Sequence, residues 1–120
     1  MEYIQDLSEP WFSLVKLGIK TVEGRLNKKN FSRMEVGDII CFTNNEFGFE
    51  RRCKVVIKKI TPTEALYRTF YDYLISETLE KCLPGIDNID DGKKVYYQYF
   101  DNKDEVMYGV KAFEMKVISI

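Results

Sequence analysis

The stretch Gly18-Ile19-Lys20-Thr21-Val22-Glu23-Gly24-Arg25 constrains this chain most, because within eight residues it ends one kind of backbone and begins another. Upstream of it, Trp11, Leu14, Val15 and Gly18 fall at i, i+3, i+4 and i+7, one face of a helix. Gly18 can end that helix in a left-handed conformation. Ser8-Glu9-Pro10 has the grammar of its start, with Ser8 as cap, an acid at the positive end of the dipole and proline in the first turn. Downstream, Thr21, Val22 and Gly24 suit a strand. Strict alternation puts Glu23 and Arg25 on one face of that strand and Lys20 with Val22 on the other. A shared site for Lys20 and Glu23 therefore needs Lys20 in the turn before the strand, and that is the expectation. A lysine, a carboxylate and an arginine then crowd together in a chain without histidine.

The rest of the chain sets what surrounds this stretch. Trp11 and Phe12 are adjacent and point about 100° apart on a helix, so only one can sit fully in the core and the other is free to line a groove. Met34-Glu35-Val36-Gly37-Asp38 reads as a turn into a strand Ile39 to Thr43, whose unbroken apolar run implies burial on both faces. Asn44 to Gly48 is the turn of a hairpin, followed by an alternating strand from Arg52 to Ile60. Thr61-Pro62-Thr63-Glu64 predicts a helix running to about Tyr73, with Thr61 as its cap. A shorter helix is expected over Glu77 to Leu83, stopped by Pro84-Gly85. Val95, Tyr96, Tyr99 and Phe100 recur at helical spacing, a third helix with an aromatic face that reads as core. Tyr108 to Ile118 is the expected closing strand.

Composition excludes several classes. At 120 residues with 45% hydrophobic content the chain is long enough for one core, so one domain spanning residues 1–120 is expected. No apolar run approaches the roughly 18 residues of a membrane span. The start Met1 to Asp6 is acidic and polar where a secretory signal carries a basic and then an apolar segment. Cys41, Cys53 and Cys82 are odd in number and widely spaced, which suits reduced thiols and an intracellular, cytoplasmic protein. No metal or cofactor is expected: the acidic loop Asp87 to Gly92 lacks the ligand spacing of a calcium loop, and there is no histidine to complete a zinc set. A net charge of -1 excludes a protein that coats nucleic acid by charge alone. The charges are nonetheless uneven. Lys16, Lys20, Arg25, Lys28, Lys29 and Arg33 surround the single acid Glu23, whereas acids dominate from Asp72 to Glu105, so the molecule has either one positive side or ordinary solvated faces.

Strands far apart in sequence with short helices between them predict an α+β fold, a small mixed β-structure that hides its edges by curling. Gly18-x-Lys20-x-x-Glu23-x-Arg25 resembles the G-x-K-x-x-E-x-R signature of the ASCH domain (activating-signal-cointegrator homology), a PUA-like β-barrel flanked by short helices. The resemblance covers nearly the whole chain, through the Val36-Gly37-Asp38 turn to the closing Tyr108-Gly109-Val110-x-Ala112 segment, and is nearest to the compact single-domain members. It implies a cleft where Lys20, Glu23 and Arg25 converge, and an RNA, nucleotide or nucleoside ligand.

The residues suit that role. Lys20 and Arg25 are donors for phosphate or carbonyl oxygens, and Glu23 can accept from a base amino group or hold Arg25. The alternative is an exposed Glu23–Arg25 ion pair worth about 0 to 1 kcal/mol that only orders neighbouring strands. Association costs on the order of 4 to 15 kcal/mol, so two cations do not suffice, and a stacking surface from Trp11, Phe12, Phe47 or Tyr108 is expected. Some relatives hydrolyse N4-acetylcytidine with a lysine matching Lys20 and a threonine nucleophile three residues on; here that position is Glu23, so catalysis would have to use Lys20 and Glu23 as base and acid. Other relatives are ribonucleases, and a protein-interaction adaptor is a third class. The sequence sets no oligomeric state.

Overall fold

The computed structural model describes residues 1–119. Five strands form one mixed sheet: β1 (Glu2–Asp6), β2 (Val22–Leu26), β3 (Ile39–Asn44), β4 (Arg51–Ile60) and β5 (Val110–Ser119), in the order β1-β3-β4-β5-β2. Only β1 and β3 are parallel, with Glu2 opposite Ile39 and Asp6 opposite Thr43; the other pairs are antiparallel. Register shifts after Lys54 and Ile57 let β4 and β5 bend, and the sheet curls as a half-barrel whose two edges are β1 and β2. Helix α1 (Trp11–Lys16) joins these two edge strands in sequence, and four helices, α2 (Phe70–Glu77), α3 (Leu79–Cys82), α4 (Ile89–Tyr97) and α5 (Asn102–Tyr108), lie between β4 and β5. No described helix is long and apolar enough to cross a membrane.

Several local readings hold. Gly18 ends α1 at a φ of 75°, β3 is buried on both faces, and β4 alternates with Cys53, Val55 and Ile57 inward. All three cysteines are buried and free. Others need correction. The first strand, β1, has no strand pattern in the sequence, because its inward positions are Tyr3 and Gln5 while Ile4 faces out, the reverse of an apolar-in alternation. Ser8 does not cap α1. The Glu9 carboxylate accepts from the Ser13 amide at 2.9 Å, and the Ser8 hydroxyl instead meets the Tyr99 hydroxyl at 3.0 Å.

The helix expected from Thr61 is only a single turn over Thr63–Ala65. Thr61 Oγ1 accepts from the Ala112 amide at 3.0 Å, and Tyr67 exchanges both backbone hydrogen bonds with Val110, so the segment is held extended against β5. The true helix begins after Thr69, whose side chain accepts from the Asp72 amide. Likewise α4 starts inside the acidic loop, capped by Asn88, and Tyr108 ends α5 where a strand was expected.

The helical insert is fastened by polar contacts as well as by apolar packing. The buried Glu105 of α5 accepts from the Phe70 amide of α2 at 2.9 Å and from the Tyr97 hydroxyl of α4 at 2.8 Å. Phe70 stacks on both Tyr96 and Phe100, at ring centroid distances of 4.5 and 5.4 Å. Tyr73 of α2 is wholly buried and reaches β2 at Gly24, where an added Cβ would stand 2.4 Å from the ring. Only a residue without a side chain permits this approach. Gly24→Ala is therefore expected to destabilise the fold by about 1 to 3 kcal/mol or more through overpacking, seen as a lower urea midpoint at unchanged slope, with Tyr73→Leu in the same chain recovering part of the loss.

Candidate functional site

The turn after α1 and the first residues of β2 build one buried ion cluster. Lys20 lies before the strand, as its spacing requires, and Glu23 and Arg25 share a strand face. Glu23 stands between the two cations, with Oε1 3.2 Å from Lys20 Nζ and Oε2 accepting from Arg25 Nε at 3.0 Å. Lys20 is 2% exposed and Glu23 3%, so this is not the solvent-exposed pair of the simpler reading. Lys20 Nζ also donates to the Val22 carbonyl at 2.7 Å and to the Cys82 carbonyl at the end of α3. Two carbonyls and the Glu23 carboxylate thus surround its ammonium. Burial pushes the Glu23 carboxyl up, but the charges of Lys20 and Arg25 and their hydrogen bonds outweigh burial and hold it below the usual carboxylate value.

Beside this cluster lies a cavity of about 340 Å³, at the small end of ligand sites, which span roughly 300 to 1,000 Å³. It opens where the two edge strands of the half-barrel face each other. Gln5 and Asp6 of β1 with the following Leu7 and Ser8 form one side, and Lys20, Glu23 and Arg25 the other. Arg25 approaches the Asp6 carbonyl at 3.4 Å, across the gap between the edges. Trp11, Tyr96, Tyr99 and Phe100 supply an aromatic wall. Tyr96 is set by the Tyr73 hydroxyl at 3.1 Å, so the ring that needs Gly24 beneath it also positions this wall. Among the described residues no group of three thiols or carboxylates gathers to hold a metal ion.

The structure sorts the sequence candidates. Lys20, Glu23, Arg25 and Trp11 meet at the cavity. Phe12 does not: it is fully buried in the core, with the Arg51 guanidinium 4.8 Å from its ring, whereas Trp11, also buried in the core at 8% exposed, lines the groove as well. Phe47 is 62% exposed on the β3–β4 turn, stacked on Arg51 at 4.2 Å. Tyr108 ends α5 with Lys28 over its ring at 5.1 Å. Neither lies at the cavity. The aromatic residues the sequence reading passed over are Tyr96, Tyr99 and Phe100. Their helical spacing reads as core, and half of that is right, since Tyr96 and Phe100 pack on Phe70 while also facing the cavity; the visible signal was Tyr99, one aromatic too many for one buried face.

The ion cluster carries a stability prediction. Glu23→Gln leaves Lys20 buried without its counter-charge and is expected to cost about 3 to 5 kcal/mol in urea unfolding, and Lys20→Met/Glu23→Met less than the sum of the two single changes. Because the Glu23 pKa is lowered in the fold, its stabilisation is present above the ordinary value of 4.5 and is lost as the pH falls through the lowered value. Stability of the wild type is therefore expected to fall more steeply below about pH 4.5 than that of Glu23→Gln, measured by urea titration at stepped pH.

Comparison with known proteins gives the family. The sequence profile of the ASCH domain matches residues 6–119. The crystal structure of the hypothetical protein PH0355 is similar, with a TM-score of 0.83 and 37% identity over 98% of this chain and 100% of that one. The solution structure of protein PF0455 from Pyrococcus furiosus gives a TM-score of 0.77 and 35% identity, with both chains wholly covered. No curated protein matches. With the profile spanning nearly the whole chain, and relatives of this identity matching from end to end, the chain belongs to the ASCH domain family.

Proposed function

We propose that residues 1–120 act as one ASCH domain that binds RNA or a nucleotide, with a single base or nucleoside in the cavity at the open seam of the half-barrel. The observation that carries this reading is the pairing of an aromatic wall with a fixed guanidinium. Tyr99 and Trp11 line the cavity, and each stacked base contributes about 1 to 3 kcal/mol. Arg25 has its Nε committed to Glu23, which aims the rest of the guanidinium as a planar donor for a base carbonyl or a phosphate oxygen. The family, generally thought of as RNA-binding, points the same way.

Binding is favoured over hydrolysis by the state of the two residues a catalyst would need. Lys20 is 2% exposed and held by two carbonyls and a carboxylate, which unsuits it as a free base. Glu23 is held ionised by its neighbours, which unsuits it as a general acid. Three free, buried thiols suit a reducing cytoplasm, where RNA and nucleotides are abundant.

Trp11 is the only tryptophan and lines the cavity, so its fluorescence reports occupancy directly. Titration with adenosine, cytidine, their monophosphates and short single-stranded RNA is expected to give a saturable change with at least one of them. Arg25→Met is expected to weaken that binding by about tenfold or more, as for a lost hydrogen bond to a charged group, and Tyr99→Ala by a similar factor. No saturable change with any ligand, or affinity untouched by both substitutions, overturns the reading.

A further inference from the structure

We infer that the ligand is a single-stranded polynucleotide whose phosphates leave the cavity past Arg25 and run along a second groove formed by Lys28, Lys29 and Asn30. This rests on the reading that the cavity takes a base.

Charge separates the two spaces. The ionised side chains lining the cavity are Asp6, Glu23, Lys20 and Arg25, whose charges cancel, so the cavity suits an uncharged base better than a phosphate dianion. The adjoining groove is lined by Gln5, Arg25 and Phe100, which it shares with the cavity, and by Lys28, Lys29 and Asn30. Among these described residues there are three cations and no carboxylate. A base in the cavity therefore has its own phosphate at Arg25 and the phosphates of the neighbouring nucleotides along a groove of one sign, which is how proteins track a single strand.

The local backbone is built to present those cations. Lys29 holds a φ of 53°, a left-handed conformation that a lysine adopts rarely, at the start of the single turn Lys29–Ser32. That turn is fixed from below: the buried Lys111 donates to the Phe31 carbonyl at 3.3 Å, and the Arg25 guanidinium lies 5.0 Å from the Phe31 ring. Lys28 holds its ammonium over the Tyr108 ring at 5.1 Å, while Lys29 and Asn30 stand exposed at the rim. Arg25 thus touches Glu23 at the cavity wall and Phe31 in the groove, the joint between the two spaces.

The test uses the full chain and the double variant Lys28→Met/Lys29→Gly. Methionine replaces the ammonium beside Tyr108 with an uncharged chain of similar length, and glycine accepts the left-handed backbone, so both charges leave without backbone strain. The probes are adenosine and cytidine monophosphates, and mixed-sequence single-stranded RNA and DNA of equal length, each titrated against Trp11 fluorescence at stepped salt. Wild type is expected to bind an oligonucleotide more tightly than either monophosphate. The double variant is expected to lose about tenfold for the oligonucleotide and to keep its monophosphate affinity. Its slope of log affinity against log salt should flatten by about 1.4, at about 0.7 for each of two phosphate contacts. This pattern in the RNA arm, the DNA arm or both supports the inference and shows which sugar is accepted. An oligonucleotide bound no more tightly than the monophosphates, or a double variant that weakens both alike or neither, overturns it while leaving the base-binding cavity standing. Failure of wild type to bind any probe overturns both.

Discussion

A carboxylate buried between two cations is the interaction on which this structure turns. Removing Glu23, Lys20 and Arg25 from water carries a desolvation cost of several kcal/mol for each fully buried ion, and only close, hydrogen-bonded geometry offsets it. That requirement reaches beyond the three residues. Lys20 must lie in the turn to meet Glu23 from the far side of the strand, and its remaining protons bind the Val22 and Cys82 carbonyls, which ties β2 to the end of α3. Arg25, on the other flank, reaches toward the Asp6 carbonyl of β1. A single acid thereby links the first and last strands of the sheet order with the helical insert.

The glycine next to it performs a second linkage by having no side chain. Tyr73 lies against Gly24 and its hydroxyl meets that of Tyr96, so the aromatic wall of the cavity is referenced to the same strand that carries the charges. Glu105 and the Phe70 stack hold the helices bearing this wall to one another. The consequence is a cavity whose Lys20 and Glu23 are partnered within the fold and whose aromatic wall rests on packed elements. On the proposed reading, such an arrangement would lower the ordering cost of binding.

The half-barrel also accounts for where the site lies. A sheet with β1 and β2 as edges leaves a seam, and the seam is where side chains from distant parts of the chain can face an enclosed space without a strand between them. Aromatic rings close it from one side and Arg25 spans it from the other. On the proposed reading, the balanced charges inside it and the cations of the groove outside it would divide the labour between a base and its phosphates.

Much of this was legible in residues 11–60. Helical spacing, a glycine stop and strand alternation are local rules, and they placed α1, the turn holding Lys20, the shared face of Glu23 and Arg25, and the β3–β4 hairpin. They did so because each rests on backbone geometry within a few residues. What they could not decide was set by partners far away in sequence. β1 is a strand because β3 accepts it in parallel, even though its inward residue Gln5 is polar. Thr61 spends its hydroxyl on Ala112, and Tyr67 pairs with Val110, so a sound capping sequence yields one turn instead of a helix. Phe12 goes wholly to the core and Trp11 lines the cavity as well because packing rotates α1 that way, and Phe47 and Tyr108 are carried elsewhere by a hairpin tip and a helix end. The sequence by itself determined which groups form the charged cluster; the tertiary structure alone decided which rings stand opposite it, since non-local pairing and close packing choose between local options of nearly equal free energy.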